Sequence, residues 1–129
     1  MPSAQAVTAA LVDILTSTNV TFADAFQFGT PGDTSWSFTG QTFRMDLKGN
    51  KYTQSTALLS LTSGAGQIVV SEPVNRILYF NVPEATLSAA GIIPGEYEYD
   101  FIMIDTSVPP NRIALMYGKF KVVQGVTGG

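Results

Sequence analysis

Three acidic residues alternate along one predicted strand and are the best candidates for chemistry in this sequence. Glu96, Glu98 and Asp100 follow a Pro-Gly turn, and alternate positions of a strand lie about 7 Å apart on one face. Two carboxylates about 5 to 9.5 Å apart are what glycoside hydrolysis uses. The competing interpretation is a strand face turned to solvent or to a partner. We favour it, because nothing in the pattern places these carboxylates in a cleft.

Metal and nucleophile chemistry have little support in the residue types. The 129 residues include neither histidine nor cysteine, which excludes histidine bases, cysteine nucleophiles, disulfides and the usual zinc sites. The three carboxylates, or Asp105 with its loop, would offer oxygen ligands to calcium, but the Asp-x-Asp-x-Asp-Gly spacing of a calcium loop is absent. We therefore expect no catalytic residue, no metal and no cofactor.

Composition indicates one packed domain with a surface poor in charge. Hydrophobic residues make up 45% of the chain and charged residues 13%, so much of the surface must be Ser, Thr, Asn, Gln and Gly. Such a surface suits a protein that packs against neighbours. The net charge is −3, and no run of Lys or Arg would follow a phosphate backbone, so we expect no nucleic-acid partner.

Nothing in the sequence predicts a membrane partner. Residues 1–15 lack a basic start and include Asp13 within the apolar stretch, which argues against a secretion signal. No apolar run approaches the ~20 residues of a membrane span. We expect synthesis in the cytoplasm.

The alternation of side chains predicts an all-β fold. The odd positions beside the acidic row are aromatic or Met, and Thr42 to Lys48 alternates in the same way. Seven to eight such strands, separated by turn signals, predict an immunoglobulin-like antiparallel β-sandwich. Residues 83–91 predict one short helical connector. The predicted core comprises Phe43, Met45, Leu47, Tyr97, Phe101, Leu115 and Phe120.

Two aromatic-rich regions carry more specific expectations. In the last strand, Tyr117 continues an odd apolar series and Phe120 begins an even one, so we expect a β-bulge at Gly118. Trp36 lies between Ser35 and Ser37 and has two interpretations: a core residue, or a platform on which a sugar stacks.

The chain divides into three parts. Residues 1–19 are an N-terminal arm or first strand, residues 20–124 the β-sandwich domain, and residues 125–129 a flexible tail. We expect residues 1–18 to reach beyond the sandwich and lie against another subunit. The apolar anchors of this partner-binding arm are Val7, Leu11 and Val12.

Several short motifs occur together in a specific order. They are a Phe-Thr-Gly turn leading into Thr-Phe-Arg-Met-Asp-Leu-Lys (42–48), Leu-Ser-Leu-Thr (59–62), Pro-Glu-Ala-Thr-Leu (83–87), Pro-Gly-Glu-Tyr-Glu-Tyr-Asp (94–100) and Gly-Lys-Phe-Lys-Val-Val-Gln-Gly-Val-Thr (118–127). In this order they resemble a family of small β-sandwich proteins of tailed bacteriophages and prophages, similar to the N-terminal domain of the upper baseplate protein of lactococcal phages. The resemblance covers residues 20–127.

The resemblance implies a structural role in a virion. The chain would dock onto other virion proteins and copies of itself at the tail or baseplate, the collar or the capsid surface, without catalysis. Residues 105–111 replace a tighter hairpin of the family, which marks an added contact. The alternative function is a carbohydrate-binding module for attachment to a host-surface glycan, which requires exposed aromatic residues such as Trp36 and Tyr79.

Overall fold

The computed structural model describes residues 9–30, 32–33, 35–49 and 57–125. This part of the chain forms nine strands and one short helix. Their bounds are β1 (Ala10–Leu11), β2 (Ile14–Ser17), β3 (Ala25–Gln27), β4 (Thr42–Lys48), β5 (Leu59–Thr62), β6 (Ile68–Glu72), β7 (Ile77–Phe80), α1 (Glu84–Ala89), β8 (Gly95–Ile104) and β9 (Arg112–Val123).

The strands form two sheets. The larger has the order β1-β9-β8-β4-β5, with β2 also paired to β9, and the smaller has the order β3-β7-β6. An antibody variable-type sandwich divides its strands in the same way, with an extended G-F-C sheet facing a B-E-D sheet. The predicted immunoglobulin-like all-β sandwich with one short helical connector is therefore confirmed. Its first two strands run parallel to β9, so the larger sheet is mixed.

A tyrosine fixes the corner between the helical connector and β8. The hydroxyl of Tyr97 accepts a hydrogen bond from the Ile93 N–H at 3.0 Å and donates one to the Ile93 carbonyl oxygen at 2.6 Å. A tyrosine near the start of this strand that bonds back to the chain a few residues upstream is a hallmark of immunoglobulin-like sandwiches. This contact sets the entry of β8, from which the acidic row projects.

The core between the sheets is rich in phenylalanine. All seven core residues predicted from the alternation are buried in a single cluster. Phe43 and Phe101 of the larger sheet stack at 5.8 Å, and Phe80 of the smaller sheet contacts Phe101 at 5.6 Å. Aromatic contacts therefore join the two layers, and at such distances each adds to the stability gained from area burial.

The predicted position of the bulge in β9 is wrong. The register against β8 shifts between Phe101, opposite Met116, and Ile102, opposite Ala114, which places the extra residue at Leu115. Leu115 and Met116 are consequently both buried, and Tyr117 points outward. Gly118 serves another purpose: a Cβ there would lie 2.5 Å from the carbonyl oxygen of Val12, so only glycine lets the N-terminal segment pass this closely.

The N-terminal segment forms the first strands of the sandwich. Residues 10–11 and 14–17 pair with β9 of the same chain, and Val12 and Thr18 donate backbone hydrogen bonds to it, so the prediction that residues up to 18 reach away to another subunit is wrong for residues 10–18. The parallel pairing satisfies the backbone groups that face β9. Val12 packs against the core, whereas Leu11 is 69% exposed. Val7 lies outside the described residues.

The helix is a short connector. It begins after Pro83, carries Glu84 in its first turn and buries Leu87, as the Pro and acidic start signals predict. No helix within the described residues is long and apolar enough to cross a bilayer.

Candidate docking groove

The first carboxylate of the acidic row is paired with two lysines of β9. Glu96 lies 3.3 Å from the Lys119 ammonium and 3.5 Å from that of Lys121. The hydrogen bond and charge of Lys119, followed by the charge of Lys121, lower the pKa of Glu96. Exposed cross-strand pairs of this kind are typical of a solvated sheet face.

The last carboxylate of the row, Asp100, lies opposite another carboxylate. Asp100 lies directly opposite Asp46 in the register, and burial, followed by the charge of Asp46, raises the pKa of Asp100. Asp46 accepts hydrogen bonds from Arg44 at 2.9 Å and Ser60 at 2.7 Å. In the described part of the chain, no three acidic residues come together as a potential metal site. A cleft of about 260 Å³ on this face is lined by Asp46, Glu98 and Asp100 among others, whereas the sequence pattern indicates no cleft.

A groove opens at one side of the sandwich, between β1 of the larger sheet and β3 of the smaller one. Its volume is about 410 Å³, within the range of sites that hold a ligand or a partner's side chains. We call it the β1–β3 groove. Among the described residues it is lined by Ala10, Val12, Phe26, Gln27, Phe28, Gly29, Thr30, Asp33, Ser35, Trp36, Leu115 and Met116.

One edge of the groove is a strand with open backbone groups. Phe26 pairs with Leu78 of β7, and the N–H of Phe28 donates to the Arg76 carbonyl. Antiparallel pairing directs the backbone groups of alternate residues to opposite edges. Ala25 and Gln27 therefore present their N–H and C=O groups away from β7, at the groove, where an extended segment can add to the sheet.

A buried arginine builds the wall of the groove. Arg76 is 0% exposed, and within the described residues its guanidinium donates hydrogen bonds to five backbone carbonyls. The acceptors are the carbonyl oxygens of Phe28, Thr30, Asp33, Trp36 and Val74. A buried cation is tolerated only when its donors are satisfied. One side chain thus ties several described residues of the β3–β4 connection to the start of β7.

Trp36 stands over this arginine at the groove. The Arg76 guanidinium carbon lies 5.0 Å from the centre of the indole, a cation–π distance, and Phe38 packs edge-on to the same ring at 5.8 Å. Gly29 has a φ of 75°, and a Cβ there would lie 3.1 Å from both Arg76 and Trp36. Glycine is therefore needed at position 29. Trp36 is half-buried: it packs against the core and lines the groove.

The rim of the groove is acidic and polar. The Asp33 carboxylate accepts a hydrogen bond from the Ser35 N–H at 2.9 Å. Hydrogen bonding by Ser35, together with the positive charge of Arg76, lowers the pKa of Asp33. The carboxylate is thus ionised near neutral pH and gives the aromatic groove a negative rim.

A second exposed feature lies on the β8–β9 connection. Asp105 accepts hydrogen bonds from the N–H groups of Ser107 and Asn111 and from the Asn111 amide, and these bonds lower the pKa of Asp105 to about 2. The loop so held presents Val108 with 98% of its surface exposed. We call Val108, Pro109 and Pro110 the loop tip.

The structure brings together only part of what the sequence singled out. Val12 and Trp36 line the groove, Leu11 lies beside it on β1, and Tyr79 is 38% exposed on the outer face of the smaller sheet. Arg76 and Asp33 were not predicted from the sequence. An arginine at a strand start is normally exposed, and no local pattern shows that this one turns inward under a tryptophan 40 residues away.

No protein-family model matches this chain, and no curated protein is significantly similar to it. Solved structures that resemble it include CopC from Methylosinus trichosporium OB3b, at 10% identity and a TM-score of 0.42, covering 97% of this chain and 93% of that one. The V domain of amphioxus IgVJ-C2 is 13% identical with a TM-score of 0.28, covering 87% of this chain and 99% of that one. Likenesses this distant say nothing about what this chain binds.

Proposed function

We propose that this chain is a non-catalytic structural protein of a bacteriophage virion, made in the host cytoplasm, which docks onto other virion proteins through the β1–β3 groove. The observation that carries the proposal is the groove itself. Half-buried aromatic side chains line it, and an open strand edge borders it.

The geometry of the groove suits protein docking. An incoming extended segment would gain main-chain hydrogen bonds from Ala25 and Gln27 and place alternate side chains against Phe26, Phe28 and Trp36. Buried aromatic residues are enriched among the positions that dominate binding energy at protein interfaces. Arg76 holds the groove wall before any partner arrives, which reduces the ordering cost of binding.

The remaining surface is consistent with a passive role. Of the carboxylates spaced for glycoside hydrolysis, Glu96 is engaged in cross-strand pairs with Lys119 and Lys121, and Asp100 lies opposite the carboxylate of Asp46. The resemblance of the strand motifs to phage baseplate sandwiches supports a virion location, and the low share of charged residues, 13%, suits a subunit surrounded by others.

The test is incorporation into particles of the phage that encodes the chain. Ala10→Arg places a long charged side chain in the groove from an exposed position, so we expect it to reduce incorporation strongly. Ala85→Arg makes the same change on the exposed face of α1 and should assemble as the wild type does. Purified particles that lack the chain altogether would contradict the proposal.

A second candidate function is glycan binding at the same groove. Trp36 offers part of its ring beside Asp33, Ser35 and Gln27, a combination of an aromatic surface and hydrogen-bonding groups that suits a sugar. Trp36 is the sole tryptophan, so its fluorescence reports directly on the groove. A concentration-dependent change in emission on adding host-surface glycans, abolished in Asp33→Ala, would favour this function over protein docking.

A further inference from the structure

We infer that the β1–β3 groove accepts the loop tip of a second copy of this chain, with Arg112 of that copy facing Asp33. This inference deepens the proposed function, on which it rests, by naming one occupant of the groove. The two surfaces match in three properties: apolar character, charge and position.

The two surfaces match in apolar character. The groove is an aromatic-lined depression, whereas Val108, Pro109 and Pro110 are all exposed on a loop that Asp105 holds in shape. A rigid apolar projection loses little conformational freedom when it becomes buried. Burial of this exposed apolar tip against a partner would favour association, because it removes apolar surface from water.

The two surfaces also match in charge. Asp33 is ionised at the groove rim, as the lowered pKa indicates. Arg112 follows the loop tip by two residues, is exposed, and forms no ion pair within the described part of the chain. An arginine can bind a carboxylate through two parallel hydrogen bonds. The tip and its arginine therefore complement the groove and its aspartate.

Both surfaces lie at the same end of the sandwich. Ile104 pairs with Thr42 at the start of β4 and with Arg112 at the start of β9, so the 105–111 loop lies at the end of the sheet where the β3–β4 connection arrives. That connection forms the groove wall. Two copies that meet end to end can insert into each other reciprocally, which gives a closed two-fold dimer.

The test measures self-association of the purified chain by analytical ultracentrifugation at concentrations up to about 1 mM, which detects even a weak dimer. We expect a dimer that Val108→Asp weakens at least about tenfold, as loss of a central anchor does. Val20→Asp, also an exposed valine but at the opposite end of the sandwich, should leave the dimer unchanged. Far-UV circular dichroism verifies that each variant is folded.

A charge exchange tests the pairing itself. Asp33→Lys and Arg112→Glu should each weaken the dimer, and the double variant should recover most of the lost affinity. An equimolar mixture of the two single variants should form a heterodimer held by one restored groove contact. Asp33→Asn, which keeps an acceptor for the Ser35 N–H, separates the loss of charge from damage to the turn.

Three results would overturn the inference. They are a monomer at every concentration, a dimer insensitive to Val108→Asp, and single charge variants that the exchange does not rescue. In each case Ala10→Arg could still abolish incorporation into particles. The groove would then bind a different virion protein, and the proposed function would stand without this inference.

Discussion

The guanidinium carbon of Arg76 lies 5.0 Å from the ring centre of Trp36, so the buried arginine lies behind the groove wall that Trp36 lines. Arg76 reaches the left-handed conformation, with a φ of 58°, at the start of a strand. This backbone position is strained for a residue with a side chain. The hydrogen bonds to the β3–β4 connection offset that strain.

Replacing this arginine should destabilise the protein severely. Arg76→Met removes the donors that five carbonyl oxygens share on one side chain. Each buried group left unsatisfied costs about 1–3 kcal/mol, so we expect a total loss above about 3 kcal/mol. Urea unfolding monitored by Trp36 fluorescence gives the value. Arg44→Met, an exposed arginine in an ion pair with Asp46, should cost no more than about 1 kcal/mol. Similar losses in the two variants would contradict the role assigned to Arg76.

The core prediction concerns one phenylalanine. Phe43→Ala should lower the free energy of unfolding by about 3–5 kcal/mol, because it deletes a fully buried ring between the sheets. Tyr79→Ala removes an aromatic ring from an exposed site on the smaller sheet and should cost much less. Equal losses of stability in the two variants would contradict the placement of the Phe43 ring between the two sheets.

The sequence predicts the core of the sandwich but not the groove. Period-two alternation identified Phe43, Phe101 and Phe120 as core residues because one strand face decides burial. The predicted position of the bulge in β9 was wrong, because Gly118 is required by the close approach of the N-terminal segment and not by a bulge. The groove depends on Arg76 and Trp36 meeting across 40 residues, which no local spacing encodes.

The tyrosine corner gives a test of the fold type. Tyr97→Phe removes the acceptor of the Ile93 N–H and the donor to its carbonyl, and we expect a loss of about 1–3 kcal/mol. Tyr117→Phe, at an exposed position of β9, should change the stability by less than about 0.5 kcal/mol. Thermal unfolding of both variants supplies the comparison, and an unaffected Tyr97→Phe would mean that the corner does not stabilise the fold.

The loop that carries the tip should respond to acid. The pKa of Asp105 falls from 3.8 to about 2 in the folded protein, so its carboxylate stabilises the fold above pH 3.8, and this contribution is lost as the pH falls through about 2. We therefore expect Asp105→Ala to lower the stability near neutral pH and to match the wild type below that range. An NMR titration of the Asp105 carboxyl that gave an unshifted pKa would contradict the hydrogen-bonded loop.

The opposed pair Asp46 and Asp100 predicts a stabilising substitution. Burial and the charge of Asp46 raise the pKa of Asp100, so the ionised Asp100 opposes folding above that pKa and its protonation in acid relieves the cost. Asp100→Asn should stabilise the protein near neutral pH by a few tenths to about 1 kcal/mol, the usual range for cross-strand pairs. The gain should shrink in acid, and a destabilised variant at neutral pH would show that the Asp100 charge supports the sheet.

The central claim is that the β1–β3 groove docks the chain into a virion, and its most direct test is the copy number of the chain in purified particles. Quantitative mass spectrometry of particles from wild type, Ala10→Arg and Ala85→Arg measures it. We expect the full copy number for wild type and Ala85→Arg. For Ala10→Arg we expect a copy number at least about tenfold lower, because a central contact is blocked. Equal occupancy of all three, with each variant folded, would contradict docking through this groove.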